Sequence, residues 1–405
     1  MLAIFAFVYL GMLLGHIPGL KLDRTGVALL GALLLVVTGR VSVGAARDAI
    51  DIPTMSLLFG LMVVSAQFRL GGFYAALTRR IGLARLSPDA LLALVIAVAG
   101  VLSALLVNDI ICLAMAPILI EGCARRRLAP MPFLLALACA SNVGSAATLI
   151  GNPQNMLIGQ TLRLSFAGYL ADAALPSALG LAVVWLVVRW RVAGRWTVSG
   201  SGVPDVEAPA LDRWQTAKGV LVMAALVVTF LIGRWPREVL ALGAAALLLL
   251  SRRLASSRVL GLVDWPLLTL FAGLFVVNHA LAETGALAHA TGALAARGVD
   301  LSQPAWLFAA SAVLSNLVSN VPAVMLLLPS AAHPLSGPLL ALASTLAGNL
   351  FLVGSIANLI VVEQAGRLGV RITWKDHLRI GVPVTLVTLT IAALWLWLRA
   401  GMIAG

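Results

Sequence analysis

Two polar pairs interrupt apolar runs that are otherwise long enough to cross a bilayer. Asn108-Asp109 follows 18 uncharged residues, Ala90 to Val107, and precedes 11 more, Ile110 to Ile120. Ser319-Asn320, with Pro322 just beyond, lies inside an uncharged run from Pro304 to Ser330. Asn320 stands 212 positions after Asn108, and Pro329 stands 212 after Pro117. Two more uncharged stretches carry helix-breaking residues. One runs from Ser141-Asn142-Val143-Gly144 through Thr148 to Gly151-Asn152-Pro153-Gln154-Asn155, the other from Gly348-Asn349 through Gly354-Ser355 to Asn358. In hydrocarbon an unpaired backbone group is expensive, so such breaks survive only where they line a cavity or a ligand.

The residue types at the breaks suit ion chemistry. Proline removes a donor, and glycine lets the backbone come close to a ligand. Asn and Ser offer oxygens to a hard cation and N–H or O–H donors to an anion. No Lys or Arg lies in any of the four breaks. A bound anion would then be held by half-helix N-termini, amides and a co-bound cation. A Na⁺ ion is expected at Asn108, Asp109, Asn142, Asn320 and Asn349. Asp109 is the one ionisable tip residue; it reads as the group that couples the cation, with helix capping as the alternative. Polar breaks at matching positions of two halves are the best pointer in a sequence to a transporter's binding site.

The chain that must position these groups is 61% hydrophobic and 11% charged over 405 residues. Soluble domains are nearer half apolar and a quarter charged. Apolar segments of roughly 17–25 residues succeed one another, which predicts an all-α polytopic membrane protein. The segment opening at Leu2 is expected to be the first span and not a removed leader. The net charge of +12 comes from 28 basic against 16 acidic residues. Cytoplasmic loops of membrane proteins concentrate Lys and Arg, so no nucleic-acid partner is needed to explain it. Cys112, Cys123 and Cys139 show no metal spacing and read as small buried residues.

About ten transmembrane helices plus two re-entrant hairpins account for the length. The hairpins are placed at about 90–122 and 303–332, the broken helices at 131–158 and 338–362. Residues 73–89 read as an interfacial helix. The duplication reaches beyond the tips: Asp51-Ile52-Pro53 matches Asp264-Trp265-Pro266 at an offset of 213, and Leu149-Ile150-Gly151 and Asn155 match Leu352-Val353-Gly354 and Asn358 at 203. Each half then has five spans and a hairpin. Five is odd, so the halves enter the membrane in opposite senses. This divides the chain into inverted repeat 1 (1–190), a cytoplasmic linker (191–213) and inverted repeat 2 (214–405). With the first hairpin opening to the cytoplasm, 21 of the 28 basic residues fall inside, and both termini are periplasmic in an inner-membrane protein.

At Val107-Asn108-Asp109-Ile110, Ser141 to Gly144, Gly151 to Asn155, Ser319 to Pro322, Gly348-Asn349 and Gly354 to Asn358 the sequence resembles the ion transporter superfamily. That group includes divalent-anion/sodium symporters, arsenite permeases, NhaD-type antiporters and citrate-transporter-like proteins, and the YbiR-like and arsenite-permease branch looks closest. The resemblance implies Na⁺ or H⁺ coupling, substrate contact at both tips, and often an elevator movement. The dicarboxylate symporters carry Ser-Asn-Thr tips, which these are not.

The expected function is secondary transport of a small anion, an oxyanion or arsenite, driven by Na⁺ or H⁺. The alternative is a Na⁺/H⁺ antiporter of the NhaD type, and an ion channel or an intramembrane enzyme ranks lower. No His-Glu-x-x-His, catalytic Asp pair or Gly-x-Ser-x-Gly occurs on a credible span, so an enzyme is not expected. No cofactor is expected besides the coupling ion. The expected partners are the solute and the lipid bilayer, with a homodimer left open.

Overall fold

A computed structural model describes residues 1–15, 19–197, 206 and 209–404, and their regular structure is entirely helical. The first ten helices are α1 (Leu2–Leu14), α2 (Arg24–Val37), α3 (Val43–Ala49), α4 (Ile52–Leu70), α5 (Phe73–Leu83), α6 (Pro88–Leu105), α7 (Asn108–Arg125), α8 (Pro130–Ser145), α9 (Pro153–Thr161) and α10 (Phe166–Val192). The next ten are α11 (Arg213–Ile232), α12 (Arg237–Leu249), α13 (Ser256–Leu260), α14 (Trp265–Glu283), α15 (Ala286–Ala295), α16 (Pro304–Val318), α17 (Asn320–Leu327), α18 (Ser336–Ala347), α19 (Ile356–Arg367) and α20 (Trp374–Ala404). Each helix of the second set has a counterpart in the first, in the same order.

Local chemistry sets the boundaries. Asp51 and Asp264 accept hydrogen bonds from the Thr54 and Leu267 amides at 2.9 Å each, capping α4 and α14 as their matched positions predict. Proline opens α6, α8, α9 and α16, where its missing N–H costs nothing. Six helices (α4, α6, α10, α11, α14 and α20) are long and apolar enough to cross a bilayer alone. Their outer faces carry large exposed apolar side chains such as Trp190, Leu221 and Trp397, while Asn and Ser are buried at the centre. This inversion of the soluble pattern marks an integral membrane protein.

The helices pack in reciprocal pairs. α4 lies on α12 as α14 lies on α2, and α6 lies on α8 as α16 lies on α18. A Cβ at Gly60 would come within 2.6 Å of the Ala241 backbone, and one at Gly273 within 2.8 Å of the Ala28 backbone. Both members of this contact are displaced by 213 positions, so one close crossing occurs twice.

The structure differs from expectation in detail. Residues 73–89, expected to form one helix, instead hold α5 (Phe73–Leu83) and the start of α6, and α15, the counterpart of α5, is not among the expected elements. α10 continues to Val192, past the expected repeat boundary at 190. Residues 198–205 and 207–208 of the linker region lie outside the described residues. Most of the fall in offset from 212 to 203 arises because α7 has 18 residues, whereas α17 has 8 and is followed by a three-residue 3₁₀ turn.

Candidate functional site

Both hairpins turn over very few residues. Leu106 and Val107 join α6 to α7, and Ser319 alone joins α16 to α17. Ser319 sits at φ 76° and ψ 160°, a conformation normally left to glycine. Holding it costs on the order of 1–3 kcal/mol, and strain of this kind gathers at ligand clamps. The amide oxygens of Asn108 and Asn320, at the starts of α7 and α17, are buried without a hydrogen-bond partner among the described residues.

The helix breaks lie between α8 and α9 and between α18 and α19. Each is stitched by one asparagine. Asn155 Nδ2 donates to the Ser145 and Thr148 carbonyls at 3.3 and 2.9 Å. Asn358 Nδ2 donates to the Gly348 and Phe351 carbonyls at 2.9 and 3.3 Å. All three positions recur at an offset of 203. These donors satisfy carbonyls that the interrupted helices would otherwise leave exposed in an apolar medium. Asn152 caps α9 by accepting from the Asn155 amide at 2.9 Å, and Pro153 occupies its first turn.

The two breaks join each other through a second reciprocal set. Ser355 Oγ donates to Asn142 Oδ1 at 2.8 Å, and Asn152 Nδ2 donates to Thr345 Oγ1 at 3.3 Å. Ser355 is the counterpart of Asn152, and Thr345 of Asn142, again at 203. Asn142 is the hub: its Nδ2 donates to Asn349 Oδ1 at 2.8 Å and to Asn358 Oδ1 at 3.2 Å, and its Oδ1 also accepts from Asn108 Nδ2 at 3.4 Å. Asn108 is further held by its own amide on the Gly151 carbonyl at 3.3 Å, and its carbonyl accepts from Ser141 Oγ at 3.2 Å. The first tip therefore docks on the break of its own half, and the two breaks form one junction instead of two separate pockets.

The remaining predicted residues divide by what they touch. Gly144 is pressed against the Gly100 backbone, and Gly151 against that of Ser145. Thr148 Oγ1 donates to the Ala104 carbonyl. The Pro322 carbonyl accepts from Tyr9 Oη at 3.4 Å. A Cβ on Gly348 would lie 3.4 Å from Asn320 Nδ2, and one on Gly354 would lie 3.0 Å from Asn316 Oδ1, which puts the second tip beside the second break. Among the described residues Asp109 makes no side-chain hydrogen bond, and α7 has no side-chain cap. The capping alternative for Asp109 has no support in this geometry. Of the five residues expected at Na⁺, Asn142 and Asn349 already spend their Oδ1 on protein donors. Asn108 and Asn320 do not.

Asn155, expected from the sequence, and three residues without a sequence signal, Asn316, Thr345 and His377, complete the site. Asn155 and Asn316 add two more buried, unpartnered amide oxygens. Thr345 accepts from both Asn152 and Gln154, the latter at 3.1 Å. Buried His377 places Nε2 2.9 Å from the Asn349 carbonyl. Extending the 203 offset backwards from Asn358 would have found Thr345. Nothing marked His377, which sits at the edge of a charged loop.

Hairpins, stitched breaks and reciprocal crossings together define a helical membrane transporter built of two related halves. The model of the citrate transporter family matches residues 7–347, and the chain belongs to that family. It is 31% identical to an uncharacterized transporter of Mycobacterium tuberculosis, over 94% of each chain. It is 33% identical to the inner membrane protein YbiR of Escherichia coli, over 82% of this chain and 84% of that protein. It is 30% identical to the silicon efflux transporter LSI3 of Oryza sativa, over 93% and 92%. The YdaH transporter of Alcanivorax borkumensis shares the fold, with a TM-score of 0.61, 18% identity and 98% of both chains covered.

Proposed function

We propose that the junction of the two breaks and two tips binds a small oxyanion or a hydroxylated acid of the arsenite kind, carried across the cell membrane with Na⁺ or H⁺. The observation that carries this reading is four buried amide oxygens without partners among the described residues, on Asn108, Asn155, Asn316 and Asn320. Leaving each unpaired costs roughly 1–3 kcal/mol. A Na⁺ ion or a solute presenting O–H groups removes that cost, whereas a bare anion does not. Apart from His377, every side chain that hydrogen-bonds within the junction is an uncharged amide or hydroxyl, and no Lys or Arg bonds there to meet multiply charged citrate. The relative named for silicon efflux supports a hydroxylated cargo. The charge pattern supports periplasmic termini.

The experiment is flux in proteoliposomes, with arsenite, silicate, sulfate and citrate offered under Na⁺ and pH gradients. Uptake of one of the first three with citrate excluded is the expected result. Asn108→Ala and Asn320→Ala should each abolish that uptake while insertion stays intact. Normal transport by both variants would refute the tip assignment.

A second reading, Na⁺/H⁺ antiport, draws on Asp109, a carboxylate near a tip that serves as neither cap nor hydrogen-bond acceptor. Asp109→Asn should leave thermal stability unchanged and flatten the dependence of flux on pH or Na⁺. A lowered melting temperature with unaltered ion dependence would make Asp109 structural. Na⁺/H⁺ exchange without any solute would select the antiporter.

A further inference from the structure

The two halves share a plan but not a conformation. Around the first break Thr148 and Ile150 are 5% and 0% exposed, and Pro153 is buried. Their counterparts at 203, Phe351, Val353 and Ile356, are 39%, 37% and 40% exposed. Val353 and Ile356 line a cavity of about 440 Å³ together with Arg24, Asp23 and Asp264. One face of the junction is therefore sealed and the other is open.

An arginine occupies each face. On the sealed side Arg237, at the start of α12, donates to the Gly159 carbonyl at 2.7 Å and to Gln160 Oε1 at 3.2 Å, so it clasps α9. Gln160 Nε2 returns a bond to Glu238 at 2.9 Å. The counterpart of Arg237 at 213 positions is Arg24, and the counterparts of Gly159 and Gln160 at 203 are Val362 and Glu363. That second clasp is open. Arg24 has a buried Nε without a partner among the described residues, and Glu363 is held by Arg367 at 2.6 Å in an exposed pair. Such exposed pairs contribute little and part readily. Beside Arg237 the acid is Glu238, on the same helix α12; on the open face Asp23 and Asp264 share the cavity with Arg24 and Glu363 stands across from it on α19.

We infer that Arg237 and Arg24 are alternating latches, the first closing one face of the junction in the present state and the second closing the other by clasping Val362 and Glu363. Halves with equivalent contacts can exchange conformations, and the exchanged molecule opens to the opposite side. Exchange carries the Arg237 clasp onto Arg24. A charged hydrogen bond present in only one of two states biases their ratio by roughly tenfold or more. The inference deepens the transport reading and rests on it for the meaning of the two states.

The test reads conformation and not flux. The three cysteines are all buried, so a chain with Cys112, Cys123 and Cys139 replaced by alanine gives a low background. Val353→Cys or Ile150→Cys is added, and maleimide labelling rates are followed in nanodiscs. The Val353→Cys rate should exceed the Ile150→Cys rate. Arg237→Gln should lower that ratio by about tenfold, and adding Arg24→Gln should restore it, because the opposite state then loses its own latch. No fall with Arg237→Gln, or no recovery in the double variant, overturns the proposal. If a glutamine variant does not insert, Arg24→Cys with Glu363→Cys decides instead. A bifunctional thiol reagent should join them and protect Val353→Cys from label; no cross-link under any ion condition overturns it. Neither readout needs a solute, so a wrong cargo leaves the result standing, whereas unchanging labels in a transporting protein sink the latches alone.

Discussion

Asn142→Ala should reduce transport to background and destabilise the protein by on the order of 4 kcal/mol. No other side chain in the junction bonds to so many partners. Its loss leaves Asn349 Oδ1 and Asn358 Oδ1 without a donor, and Ser355 and Asn108 without an acceptor, all in buried positions. Replacing the hub also uncouples the first break from the second, so a solute bound to one half would no longer be felt by the other. Paired thermal unfolding and uptake measurements on the variant check both effects. The milder Thr345→Val loses two neutral hydrogen bonds and should cost less in each. Native uptake by Asn142→Ala would show that the breaks act independently.

Gly144→Ala should be poorly tolerated for a different reason. The added methyl would collide with the Cα, carbonyl carbon and oxygen of Gly100, which are backbone atoms that no rotamer change can move. α6 and α8 would have to separate, at about 3 kcal/mol for an overpacked contact, and the first tip would lose its seat. The expected outcome is a sharp fall in monodisperse protein extracted from membranes. Gly243→Ala meets nothing within 4 Å and should extract like the native chain. Equal yields from the two variants would mean that α6 and α8 can part without harm.

The tips and breaks were legible in the sequence because a polar residue inside an apolar run is costly and so stands out. Asn108, Asn142, Asn320 and Asn349 announce themselves that way. Their division of labour does not. Asn155 and Asn358 carry the same amide as Asn108, but they spend it on their own backbone, and side-chain direction leaves no trace in composition. Thr345 sits on a fully buried helix where a hydroxyl reads as ordinary packing. His377 belongs by sequence to a charged loop and by position to the junction. The short helices α3, α13 and α15 were missed because 7, 5 and 10 residues are too few to register as spans, although α15 is apolar and each has its counterpart in the other half. Arg24 and Arg237 looked like routine loop cations, and only their unequal contacts in the folded chain separate them.

The asparagine stitches have a consequence for leakage. A gap in a buried helix usually recruits water to solvate its bare carbonyls, and a file of such waters passes protons. Here the chain supplies its own donors to two carbonyls at each gap, from Asn155 and Asn358, so those four groups need no water. Each carbonyl stitched in this way is one link fewer for a file of waters to build on.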